Sequence, residues 1–213
     1  MIKNKKFPAW IFWGLVISIP IAGFGQRNDL LKFKQYFDRD LKGWTNSFYH
    51  FRLADFRIAD TIAFSHDQRK GFNNYTDFLS VYKPILTYSA DSSQFIDIYS
   101  VPLNIQKKNG YYVANPGDRQ GIYLCNLENH SWSIIYSRRM GGGIDEVIWI
   151  TKTKFILVGI EYATNGPQSL PVIILGDTDL QRLERYTSPD ESCFQDIQGY
   201  QSPKLMKMNI KNL

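Results

Sequence analysis

Gly121-Ile122-Tyr123-Leu124-Cys125-Asn126-Leu127-Glu128-Asn129-His130-Ser131-Trp132-Ser133-Ile134-Ile135-Tyr136 is the stretch that decides the fold. Two apolar runs, 122–127 and 132–136, flank a polar tripeptide, the pattern of antiparallel strands joined by a tight turn. At an offset of 50, Pro171 stands where Gly121 does and Tyr186 where Tyr136 does. The runs 172–175 and 183–186 there flank Asp177-Thr178-Asp179. Each hairpin is preceded by another. In the first unit, 85–88 and 95–99 surround Asp91-Ser92-Ser93; in the second, 147–150 and 155–160 surround 151–154. Phe95 matches Phe155 at an offset of 60, so the change of 10 falls in the loop between strands two and three. An insertion is cheapest there.

Residues 84–188 therefore read as two blade-like four-stranded antiparallel sheets in the same order. The segment Tyr88-Ser89-Ala90-Asp91-Ser92-Ser93-Gln94-Phe95-Ile96-Asp97 resembles the strand–turn–strand motif of TolB-like β-propeller repeats. Gly121-Ile122-Tyr123-Leu124-Cys125-Asn126-Leu127 is similar to the next strand of such repeats, which ends in an Asp/Asn-Leu turn. Ala90 and Ser92 depart from the usual Pro and Gly of that turn, and Lys152-Thr153-Lys154 replaces it in the second unit. The resemblance implies blades that mediate protein contacts. Two blades do not close a ring, because propellers need about 4–8. The expected fold is mostly β: an incomplete propeller-like stack or a β-sandwich, with an N-terminal helix.

That helix is expected over 28–41, where Leu30, Phe33, Phe37 and Leu41 share one face, with Asn28 or Asp29 as cap and Gly43 as stop. Phe56, Ile58, Ile62 and Phe64 alternate as in a half-buried strand, 65–74 reads as loop, and 75–82 as a short helix ending before Pro84. Residues 189–213 read as a tail.

The first 25 residues have the order of a cleavable export signal. Lys3, Lys5 and Lys6 precede 16 uncharged residues, 9–24, and Gly23 and Gly25 supply the small residues before Gln26. A retained anchor is the alternative, although a spanning helix needs about 20 apolar residues. Removing 1–25 leaves 22 basic and 20 acidic residues, so the charge balance argues for no nucleic-acid partner. The remaining 26–213 suit one domain, exported to the periplasm, cell surface or medium. Cys125 and Cys193 read as either one disulfide or two separate thiols, the former mid-strand and apolar.

The long connections carry the candidate site, since binding residues sit on loops held by a rigid scaffold. In a four-strand meander, the exits of strands two and four share an end. Here these exits are 101–120, 137–146 and 161–170. They offer Arg119, Arg138 and Arg139 as forked donors, and Tyr111, Tyr112 and Tyr162 as flat faces. Asn109-Gly110 signals a type I′ turn, so 101–120 has the makings of its own hairpin. Gly141-Gly142-Gly143 lacks the pattern of a phosphate loop and reads as a flexible link. Trp132, Tyr136 and Trp149 read as core.

His50, His66 and His130 have no metal-ligand spacing, and Ser65-His66-Asp67 are too close in sequence to form a triad. No cofactor or metal motif is present. Asp55, Asp60, Asp67, Asp91, Asp97, Asp145 and Glu146 supply carboxylates; Asp60 and Asp97 interrupt apolar strands. The expected function is a non-catalytic binding or scaffold module for a protein or cell-envelope partner. A small glycan hydrolase with a carboxylate pair is the alternative.

Overall fold

The computed structural model describes residues 29–65, 68–70, 75–139, 141–164 and 166–211, without the side chains of 68–70 and 139. The leader at 1–25, Asn28, His66 and Asp67 lie outside the described residues. In chain order the strands are β1 (Arg57–Ala63), β2 (Gln68–Lys70), β3 (Thr87–Tyr88), β4 (Gln94–Asp97), β5 (Gln106–Lys108), β6 (Tyr111–Val113), β7 (Arg119–Asn126), β8 (Ser131–Arg139), β9 (Gly142–Trp149), β10 (Lys154–Tyr162), β11 (Ser169–Asp177), β12 (Arg182–Thr187) and β13 (Ile210–Lys211). The α-helices are α1 (Lys34–Arg39), α2 (Lys42–Thr45), α3 (Tyr75–Tyr82), α4 (Ser100–Leu103) and α5 (Pro203–Met208).

The fold is mostly β, in three open sheets. The first sheet has the order β2-β8-β7-β4-β3 and the second β1-β12-β11-β10-β9. Each contains a four-strand antiparallel meander in the expected order. Each also gains a strand from upstream, placed beside the last strand of its meander. Thus β1 and β2 run along the outer edges of both sheets, and β2 lies where the sequence reads as loop.

The second sheet is a middle layer. Phe155 and Leu157 of β10 join the core shared with the first sheet, while Ile156 and Val158 join the core under the N-terminal helices. All four are fully buried, each worth about 1.5–3 kcal/mol. Phe95 and Trp132 of the first sheet turn to α3, where Phe78 lies 6.3 Å and 4.9 Å from their rings. Trp132 is buried as expected, and Tyr136 and Trp149 pack against the same core.

The N-terminal helix is not continuous. A 3₁₀ turn at Asp29–Phe33 leads into α1, the backbone turns at Asp40 and Leu41, and α2 contains Gly43 rather than ending there. Leu30, Phe37 and Leu41 are buried as their spacing implies. The break is what carries Trp44 and Phe48 into that core as well. In β1 a bulge between Ile58 and Asp60 reverses the faces. Ile58 therefore packs under the helices and Ile62 against the shared core.

Four tight turns close the hairpins at one end, three of them held by an Asx side chain. Asp91 Oδ1 accepts from Ser89 Oγ, Ser93 N and Ser93 Oγ. Asn126 Oδ1 accepts from the N–H groups of Glu128 and Asn129, and Asp177 Oδ1 from those of Asp179 and Leu180. Thr151 Oγ1 does the same for Thr153 and Lys154. Asn126 and Asp177 occupy the same place in their units. Side-chain acceptors of this kind are why Asn and Asp favour turns.

The C-terminal region is a strap rather than a tail. Phe48 bridges to Gln195, and Gln195 N donates to Ser169 O at 2.8 Å. The strap ends in β13, parallel to β6 in a third sheet of order β13-β6-β5. Cys125 and Cys193 are free thiols in separate cores. Burial pushes them up to about 12 and about 11. No helix among the described residues is long and apolar enough to cross a membrane.

Candidate functional site

Opposite the tight turns lie the three other connections: 98–118 between β4 and β7, 140–141 between β8 and β9, and 163–168 between β10 and β11. The latter two are shorter than the expected loops, because strands extend into 137–146 and 161–170. The first is built around Asp97. Its carboxylate accepts from Tyr99 N at 3.0 Å, Ser100 N at 2.9 Å and Ser100 Oγ, which fixes the start of α4. Burial holds Asp97 above the usual carboxylate range, against the pull of these donors. The chain then makes the hairpin β5–β6. Asn109 and Gly110 at its turn have φ of 45° and 87°, the left-handed pair that a type I′ turn requires.

The glycine run is not a flexible link. Gly142 and Gly143 belong to β9, and a Cβ on Gly142 would lie 2.0 Å from Ile160 O. A Cβ on Gly159 would lie 1.9 Å from Gly143 O. Gly142 and Gly159 are there because β9 and β10 approach too closely for side chains, while a Cβ on Gly143 would meet Gln120 Oε1 at 3.3 Å. Gln120 of β7 fastens this floor to the first sheet. Its Nε2 donates to Ile98 O and Ile144 O, and its Oε1 accepts from Ile144 N at 2.6 Å.

These connections surround an open cleft of about 350 Å³, lined by Pro102, Gly117, Asp118, Arg119, Gln120, Arg138, Gly141, Gly142, Gly143 and Tyr162. Arg119, Arg138 and Tyr162 are thereby brought together, in different states. Arg138 is spent internally: it donates to Glu161 Oε1 at 3.1 Å and Gly141 O at 3.0 Å. Glu161 also receives Arg185, which in turn chelates Asp60 across the strand pair. This chain of charges ties the two sheets together and accounts for Asp60 in β1. Arg119 stands opposite Arg139 in the β7–β8 register, and among the described side chains its ion-pair contact is Asp118, at 3.9 Å, with side chains 62% and 83% exposed. Tyr162 is exposed.

Tyr111 and Tyr112 are not in the lining. They sit on β6, where Lys211 Nζ lies 4.0 Å from the Tyr111 ring and Lys107 Nζ 6.0 Å from the Tyr112 ring. Arg139 ends β8, and its side chain lies outside the described part of the chain.

Beneath the cleft is a polar cluster that sequence reading did not resolve. Asp145 accepts from Trp44 Nε1 at 3.2 Å, and burial, with the charge of Glu146 adding, pushes it up to about 7. Glu146 is buried and accepts from Lys204 Nζ at 2.5 Å, Ser202 Oγ at 3.0 Å and Tyr200 OH at 3.3 Å. Those three partners come from the C-terminal strap. Asp145 and Glu146, both singled out in the sequence, are adjacent residues with internal partners; neither lines the cleft. Asp91 is engaged in its turn. His50 and His130 are exposed, with His130 edge-on to Tyr75. Among the described residues no cluster of metal-ligating side chains occurs. Comparison of the chain with family models, curated proteins and solved structures finds no match.

Proposed function

We propose that this protein is an exported, non-catalytic binding module that holds a protein or cell-envelope partner at the cleft end of its two sheets. We propose also that the two meanders are blades of a propeller-related stack. The observation that carries the binding reading is the convergence of three separate connections on one concavity, with an unspent guanidinium and an exposed tyrosine in its lining. Function is commonly carried on such connections, while the scaffold supplies rigidity. Within the stack reading, the support is the shared strand order and the matching turns at Asn126 and Asp177. The three-lysine, apolar, small-residue order of 1–25 supports export.

A hydrolase would need two carboxylates facing each other across a cleft at about 5–10 Å. Asp118 is the one acid among the residues lining this cleft, so its lining does not favour that reading.

The test is capture from envelope extract by the wild-type chain and by Arg119→Ala/Tyr162→Ala. The proposal expects the double variant to lose the captured species while its melting temperature stays within a degree or so of wild type, as for surface substitutions. Equal capture by both proteins would refute the binding end. N-terminal sequencing that returned Met1 would reject cleavage of the leader.

A further inference from the structure

The cleft has a basic flank with no acid of its own. Residues 98–117 contain no Asp or Glu, and neither do residues 197–213. The fold joins these two stretches: β13 runs beside β6, and Ala114 N donates to Lys211 O at 3.1 Å. The result is a small sheet bearing Lys107, Lys108 and Lys211, all exposed. The base of its hairpin is fixed to the cleft wall. Asn115 N donates to Leu103 O at 2.8 Å and Gly117 N to Pro102 O at 2.9 Å, and Pro102 and Gly117 both line the cleft. Lysines gathered on one flank raise the local concentration of anions.

Inside the cleft, Arg119 differs from its neighbours. Arg138 and Arg185 spend their donors on Glu161, Asp60 and Gly141 O. Arg119 makes no hydrogen bond to the described residues, and its contact with Asp118 at 3.9 Å is too long for one. A guanidinium is a planar fork that matches two oxygens of one carboxylate. The nearby Asp118 carboxylate disfavours a dianion such as a phosphate monoester more than a monoanion. Tyr162 adds an exposed ring, a surface for the flat or apolar body of the ligand.

We propose that the cleft binds a carboxylate-bearing group, with the Arg119 guanidinium on the carboxylate and the Tyr162 ring against the rest. This inference rests on the cleft being the binding end. A cavity of about 350 Å³ accepts a single small unit, and two sources supply that chemistry: a sugar acid of an envelope glycan, or the terminal or acidic residue of a peptide.

The test titrates the full chain, by ligand-observed NMR, with four probes: a glucuronate oligomer, its neutral glucose counterpart, an acidic peptide and a phosphate monoester. At least one carboxylate probe is expected to bind, with a dissociation constant on the order of millimolar. The neutral and phosphate probes are expected to bind at least about tenfold more weakly. Arg119→Ala should remove carboxylate binding, and Arg119→Lys should restore only part of it. Binding by the sugar acid alone, or by the peptide alone, identifies the source. Equal binding of the neutral probe, or unchanged carboxylate binding by Arg119→Ala, overturns the inference. If neither carboxylate binds, yet capture from extract still depends on Arg119 and Tyr162, the carboxylate inference falls and the binding end stands. If wild type and the Arg119→Ala/Tyr162→Ala variant capture the same species equally, both fall.

Discussion

The two ends of the paired sheets are held by different means. At one end, Asp91, Asn126, Thr151 and Asp177 each bind the backbone of their own turn, within a few residues of themselves. At the other end the contacts are long-range. Gln120 reaches Ile144, Arg138 reaches Glu161, and Gly159 meets Gly143. Among the described residues, the turns at the first end are linked to one another only within a sheet, Leu127 N donating to Ser93 O and Thr178 N to Thr153 O. The cleft end is joined across the two sheets by side chains from both, so it depends on both being in place; nearer the turns Trp149 Nε1 also crosses, donating to Thr87 O at 2.9 Å. A surface built from two sheets can present groups that neither hairpin could position alone.

The sharpest way to break this contrast is at the glycine floor. Gly159→Ala puts a Cβ 1.9 Å from Gly143 O, where only backbone can yield. A loss of about 3 kcal/mol in urea unfolding is expected, at the upper range for overpacking. Unchanged stability would mean that the close approach of β9 and β10 is wrong.

The next effect is a pH dependence seated beneath the cleft. The proton on Asp145 is held to about pH 7 in the fold, against about 3.9 in an unfolded chain. Between those values the folded state binds the extra proton, so stability falls as pH rises from about 4 to about 7 and is level above. The contribution is about 2–4 kcal/mol. Asp145→Asn should flatten that part of the profile measured by denaturant unfolding. A wild-type profile that rises from pH 5 to pH 7, or a variant with the same slope as wild type, would count against this assignment.

Smaller losses separate the arginines and the turns. Arg138→Ala takes the Arg138 donor from Gly141 O and leaves Glu161 with Arg185 alone, which costs about 1–2 kcal/mol. Asp177→Ala at the turn end removes its turn bonds and the Lys154 ion pair at 3.4 Å, all within the second sheet, and should cost about 1 kcal/mol. It should also add to Arg138→Ala without coupling, as distant sites do. Coupling measured between these two in a double-mutant cycle would show that the ends are not independent.

The eight meander strands were legible because alternation and turn residues are local properties. Tyr136 and Tyr186 matched for that reason. The cleft end was less legible for a physical reason: its contacts join residues remote in sequence. A glycine run signals either freedom or close approach, and only the strand paired with it decides between them. An arginine is a free fork or a strut depending on what faces it, and Glu161 faces Arg138 from another sheet. The strap reads as a tail in the sequence because a six-residue α5 and a two-residue β13 have no detectable period. Asp97 and Asp60 stand out in the sequence as interruptions of apolar strands, and both have partners in the fold.

Hydrogen–deuterium exchange of the chain with and without its captured partner tests the central claim most directly. The account predicts slowed exchange at Gly117, Arg119, Gln120 and Tyr162, with no change at Ser92, Asn129 and Asp179. Slowing at the turn residues, with the cleft residues unchanged, would contradict it.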